Sequence, residues 1–218
     1  MKKLLMLAAI AVFQFSTAQI TRDVGEFSSL KVYDKITVTL HHSGENKVES
    51  NNSDVEIVNK NGDLKIRMIP TKIMQGDQVQ VKIYYDQLCD IQASQGSTIS
   101  ADADFDCSTL SLVSNEGSKI NLMINTQKLE AKLNSGGMIE VSGISSEQDI
   151  IVNSGSKFSG KDLDSESAKV TSNAGGNAIV NASESVTATT RAGGVIDVYG
   201  DPGERNIKNI IGGKINFK

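Results

Sequence analysis

From residue 96 onward a glycine followed by a small residue returns about every nineteen positions. The pairs are Gly96-Ser97, Gly117-Ser118, Gly136-Gly137, Gly155-Ser156, Gly175-Gly176, Gly193-Gly194 and Gly212-Gly213, separated by 21, 19, 19, 20, 18 and 19 residues. With the first glycines in one column, the position five places earlier reads Ile91, Leu112, Ala131, Ile150, Val170, Ala188 and Ile207. Three places later stand Ile99, Ile120, Ile139, Phe158, Ala178, Ile196 and Ile215, and two further on Ala101, Leu122, Val141, Val180, Val198 and Phe217, with Gly160 the exception. Apolar columns that persist through seven turns define a repeat that buries a continuous core only by stacking. A period near nineteen is too short for a helical hairpin or a propeller blade. It fits one coil of a parallel β-helix, and seven coils about 4.8 Å apart give a rod roughly 34 Å long.

The column two places before the glycine reads Ser94, Asn115, Asn134, Asn153, Asn173, Arg191 and Asn209. Asparagine bonds backbone locally at tight corners and tolerates unusual dihedrals. Stacked asparagines also bond to one another from layer to layer. The paired small residues permit left-handed dihedrals and close packing. Asn134, Asn153 and Asn173 are therefore expected on one vertical line. No glycine-rich calcium-binding nonapeptide register accompanies them.

Before the repeat, residues 19–87 alternate as half-buried strands do. Ile36, Val38 and Leu40 lie two apart, as do Val79, Val81 and Ile83. Val55 and Ile57 are joined to Leu64, Ile66 and Met68 through an Asn61-Gly62 turn. The expected architecture is all-β: a parallel β-helix of about seven coils over residues 88–218, preceded by an antiparallel β region. The chain opens on Met1-Lys2-Lys3, an apolar run from Leu4 to Phe15 and small residues at Ser16 and Ala18. Residues 1–18 thus read as a cleaved secretion signal, too short to span a bilayer, with no second run of spanning length. The expected location is the periplasm or the cell exterior. The whole chain carries a net charge of −4, and loss of Lys2 and Lys3 leaves 20 basic against 26 acidic residues. That surplus argues against general nucleic-acid or anionic-lipid binding.

The secretion signal, the strand-rich opening and the corners resemble the "putative auto-transporter adhesin, head GIN domain" family, a domain of unknown function. Gly213-Lys214-Ile215-Asn216 carries the Gly-x-Ile-Asn string, and Gly117-Ser118-Lys119-Ile120-Asn121 is similar to it. The resemblance spans essentially the whole mature chain and implies a β-solenoid of the cell envelope, with adhesion as a label. It brings no catalytic residues.

Three groups carry potential chemistry. Asp102, Asp104 and Asp106 lie two apart, so on a strand their carboxylates share one face and could begin a Ca²⁺ site. The alternative is a solvated outer face, and in the repeat register Asp104 aligns with Asn125, Ile144, Leu163, Ser183 and Asp201, so carboxylates do not stack. His41 and His42 are the only histidines, adjacent and pointing oppositely on a strand, which suits surface imidazoles better than chelation. Any Ser-His-Asp triad must use one of them. Ser135 and Ser154 sit in Asn-Ser-Gly strings that corner geometry already explains. Cys89 and Cys107 are 18 apart, nearly one coil, but offset by three places from the glycine register. They fit either a disulfide in an oxidising compartment or two separate small buried residues. The expectation is accordingly no catalytic, metal or cofactor site. The protein reads as a binding or scaffold module, for an envelope or matrix polymer or protein, and open to self-association. A polysaccharide-active enzyme is the alternative by fold analogy alone. Four aromatics in the repeat region, Phe105, Phe158, Tyr199 and Phe217, give such an enzyme few sugar platforms.

Overall fold

The computed structural model describes residues 20–218; the secretion signal expected at 1–18 lies outside them. Seven strands form the opening: β1 (Ile20–Asp23), β2 (Ser29–Val32), β3 (Thr37–His42), β4 (Lys47–Ser50), β5 (Val55–Lys60), β6 (Asp63–Met68) and β7 (Gln80–Tyr85). Next come β8 (Asp90–Ala93), β9 (Thr98–Ala101), β10 (Phe105–Asn115), β11 (Lys119–Asn134) and β12 (Met138–Val152). After them run β13 (Lys157–Ser159), β14 (Leu163–Asp164), β15 (Ser167–Asn173) and β16 (Asn177–Asn181). The chain closes with β17 (Ser185–Arg191), β18 (Val195–Tyr199), β19 (Glu204–Ile210) and β20 (Lys214–Phe217). A single 3-10 turn at Pro70–Lys72 is the only helical element among the described residues.

The repeat folds as a parallel β-solenoid whose coils follow the glycine register. Ala131 faces Leu112 and Ile150, and Ile139 faces Ile120 and Phe158, so each apolar column is a vertical line in the core. These residues are buried through Ala188 and Ile196; in the last coil Ile207 is half exposed. Gly160 breaks its column because a Cβ there would meet the Phe158 ring at 2.8 Å. The large side chain occupies the space its neighbour lacks.

Each corner is a two-residue left-handed turn. In the third corner Ser135 and Gly136 have φ of 52° and 75°, and Gly137 N–H donates to Asn134 O at 3.1 Å. That is the type I′ pattern. The corners also bond to each other: Gly117 N–H reaches Ser135 O at 3.1 Å, Gly136 reaches Ser154 O at 3.1 Å, and Gly155 reaches Ala174 O at 3.2 Å. Beside this backbone ladder runs the expected amide ladder. Asn134 Nδ2 donates to Asn115 Oδ1 at 2.8 Å, Asn153 to Asn134 at 3.0 Å, and Asn173 to Asn153 at 2.8 Å. It stops at Arg191, leaving Asn173 Oδ1 buried and without a partner. Just inside, Ser118 Oγ donates to Ala93 O at 2.7 Å and accepts from Asn115 N–H at 3.0 Å, satisfying backbone groups that the corner frees.

In the opening region, antiparallel pairing joins β1 to β4, β4 to β7, and β5 to β6. Its other strands extend the solenoid in parallel. β2 lies between β6 and β8, and β3 between β7 and β9. The β2–β3 corner is Tyr33-Asp34-Lys35-Ile36, with φ of 62° at Asp34 and 64° at Lys35. It is built like the seven others but has no glycine, so the glycine column did not reveal it. Asp34, buried, uses its two oxygens to accept the N–H groups of Met68 and Met74 at 3.1 Å each. This pins the wide 69–79 connection against the corner.

Two stability measurements follow. Asn153→Leu removes a donor from Asn134 and an acceptor from Asn173, and chemical denaturation should show a loss of about 1–3 kcal/mol. Gly193→Ala meets open space at a φ of 79°, whereas Gly194→Ala drives a Cβ to 2.3 Å from Ser172 O. The first should cost about 1 kcal/mol and the second distinctly more, with equal losses ruling out the tight approach.

Candidate functional site

The two histidines, both tyrosines of β7 and the Asp102–Asp106 segment gather on one side of the solenoid. Parallel pairing of β3 on β7 sets His41 beside Tyr84 and His42 beside Tyr85. The His41 ring stacks on Tyr84 with centroids 5.0 Å apart, and His41 Nδ1 lies 2.6 Å from Asp102 Oδ2. Tyr84 donates to Glu49, while Lys47 Nζ sits 4.4 Å over its ring. On the inward side Tyr85 stacks on Phe105 at 5.3 Å. Burial, and then the negative charges of Asp102 and Asp106, push the Tyr85 hydroxyl up to about 12.

The three aspartates do not share a strand face. Asp102 and Asp104 lie in the loop after β9, and only Asp106 is in β10. Asp102 is held by His41, Asp106 accepts from Asn125 Nδ2 at 2.9 Å, and Asp104 is exposed. The stacking register also shifts: Asp106, not Asp104, faces Asn125, and Asp164 rather than Leu163 follows Ile144. The 21-residue first repeat carries its extra length in this loop. Among the described residues no group of three or more His, Cys, Asp or Glu is gathered to hold a metal ion.

The same extra length resolves the cysteine offset. Asp90 pairs with Ser111, 21 residues on, so Cys107 reaches Cys89 from the preceding bend. The two form a disulfide with Cα atoms 6.0 Å apart. An 18-residue loop closed in this way stabilises by about 3 kcal/mol in the chain-entropy account. Ser135 and Ser154 occupy left-handed corner positions, at φ 52° each. They are corner residues with no histidine in their hydrogen bonding.

His41 and Asp102 make the base–orienter half of a triad, but among the described residues no nucleophile is hydrogen-bonded to His41. His41 Nε2, which would take a nucleophile's proton, is buried with no hydrogen-bond partner. Sequence reasoning missed Tyr84 and Tyr85 as neighbours of the histidines. Their signal is alternation in β7 matching that in β3, legible only once the two strands are known to be parallel.

The family model for "Putative auto-transporter adhesin, head GIN domain" matches residues 26–202. The chain belongs to this family. The head GIN fold recurs in a crystal structure of a "putative adhesin" from Bacteroides fragilis NCTC 9343, with a TM-score of 0.85 at 17% identity, covering 93% of this chain and 98% of that one. A "putative lipid binding protein" from Parabacteroides distasonis ATCC 8503 gives 0.70 at 16% identity, over 92% and 96%. A "putative adhesin" from the same organism gives 0.71 at 20% identity, over 92% and 96%. At these identities the likeness is one of fold. No curated protein sequence matches. In this head GIN chain, no helix of the described residues is long and apolar enough to cross a membrane.

Alkaline titration tests the Tyr85 environment. Between pH 10 and 12 the unfolded chain releases this tyrosine's proton while the folded chain keeps it, so the unfolded state binds fewer protons and stability falls as pH rises. The contribution is complete below pH 10 and declines by about 2 kcal/mol through pH 12. Tyr85→Phe should flatten that decline in denaturation midpoints; an unchanged slope would place the hydroxyl in water.

Proposed function

We propose that this head GIN protein is an exported, non-catalytic component of the cell envelope that binds or scaffolds. The observation that carries the reading is the fate of the reactive-looking residues. Ser135 and Ser154 are consumed by left-handed corners, Asn115, Asn134, Asn153 and Asn173 by their ladder, and among the described residues no nucleophile is hydrogen-bonded to the free nitrogen of His41. What remains for recognition is outer face: rows of Ser, Thr, Asn and Asp on a rigid parallel framework, with a net acidic balance. Such a surface favours many modest contacts over one deep pocket. The basic start, apolar run and small-residue exit of residues 1–18 support export, and the disulfide suits an oxidising compartment. The names "putative adhesin" borne by the family and by two of the similar structures agree with binding.

Fractionation of cells expressing the full chain, with protease treatment of intact cells, should recover the protein in the periplasmic or surface fraction, shortened by about 18 residues. Incubation with envelope polysaccharides should give no new reducing ends. Turnover that disappears in His41→Ala, or when Asp102, Asp104 or Asp106 is changed, would convert the reading to a polysaccharide-active enzyme.

A further inference from the structure

Successive coils differ in length at one bend, and the mismatch cuts a recess into the outer wall. Between the paired positions Glu140–Ser159–Ile179 and Glu147–Ser167–Ser185, the three coils spend six, seven and five residues. The middle coil is the longest at this bend and the coil after it the shortest. The result is a recess of about 280 Å³ that crosses all three coils, with Ile144 and Ser146 from the first, Asp164 and Glu166 from the second, Asn181 and Ser183 from the third.

We infer that this recess binds one uncharged pyranose unit of a glycan. The inference rests on the binding role proposed above and gives it a place. Its volume is near the lower bound of small-ligand sites, about 300 Å³, and so suits a single ring. Most of its exposed lining is apolar, and two carboxylates stand among its polar side chains. Asp164 Oδ1 accepts from Asn181 Nδ2 at 2.9 Å, while among the described residues its second oxygen, the Glu166 carboxylate and the Ser146 hydroxyl make no side-chain hydrogen bond. Carboxylates only accept, so the complementary ligand must bring donors, as sugar hydroxyls do. No lysine or arginine lines the recess, which disfavours uronates, phosphates and sulfated sugars.

The apolar requirement is met by Ile144. It stands 59% exposed in a column that otherwise reads Asp106, Asn125 and Asp164, a platform for the C–H face of a ring. The wall behind is fixed by buried polar groups. Gln148, 2% exposed, donates through Nε2 to Ser165 Oγ at 2.8 Å and to Asn181 O at 3.1 Å, and both residues line the recess. Its Oε1 has no protein partner. Gln148 thus positions the Asn181 segment, at the cost of a buried unpaired acceptor. It is the support a preformed site needs.

The test uses the purified protein, displayed multivalently on beads, against arrays of neutral hexose and N-acetylhexosamine oligosaccharides, with uronate-bearing and sulfated oligosaccharides and a lysine-rich peptide as comparison arms. Neutral oligosaccharides should be retained, with little dependence on salt. Ser146→Phe, which fills the recess without removing a hydrogen bond, and Ile144→Asp, which removes the platform, should each weaken retention at least tenfold. Both should melt at the parental midpoint, and Met123→Ala on the outer face elsewhere should bind normally. Retention of no neutral oligosaccharide, retention unchanged in Ser146→Phe, or retention of the cationic peptide alone would overturn the assignment. Unchanged retention in the variants defeats this site while leaving the binding role intact; the fractionation result tests that role separately.

Discussion

Everything in this molecule hangs on the left-handed corner. Two consecutive residues at positive φ turn the chain tightly enough that corner N–H groups point along the rod and bond to the next corner's carbonyls. For most side chains one such residue is costly and two in succession more so. Glycine at the second position removes part of that cost, and asparagine before the turn fixes the spacing between layers. Once the corners are stacked, successive coils are in register and each apolar column runs unbroken from coil to coil. The corners set the geometry, and the core supplies the cohesion.

The same logic accounts for the serines and asparagines of the corners. Their side chains bond to the backbone and to one another from coil to coil, and glycine supplies the left-handed dihedral beside them. Departures from the repeat are therefore where recognition has room: the long first repeat, which brings Asp102 to His41 and closes the Cys89–Cys107 disulfide, and the six-, seven- and five-residue bends around Asp164.

The repeat was legible because its signals are local and periodic. Gly136 and Asn134 recur at fixed spacing, and Ile139 and Ala131 follow from them. The β2–β3 corner was hidden because Asp34 and Lys35 adopt left-handed dihedrals without glycine, and their energetic support comes from Gln95 O and the 69–79 connection, distant in sequence. The aspartate register failed by two residues because an insertion inside one coil cannot be placed by counting from its corner. The His41–Tyr84 contact needed the pairing of β3 with β7, which no periodicity announces. The recess is a difference between neighbouring coils, so a column that averages over coils erases it.

The spatial order of the first coils imposes an order of events on folding. Leu30 pairs with Leu64 on one side and with Ile91 on the other, separations of 34 and 61 residues, whereas a repeat coil such as Leu110 meets its successor Leu129 after only 19. The slow, entropically demanding closures are concentrated in the first half of the chain. A chain synthesised or threaded across a membrane from its amino terminus must therefore hold β2 and β3 unfinished until β8 and β9 have emerged. From that point each new coil lands on a completed template and needs only its own nineteen residues to zip down.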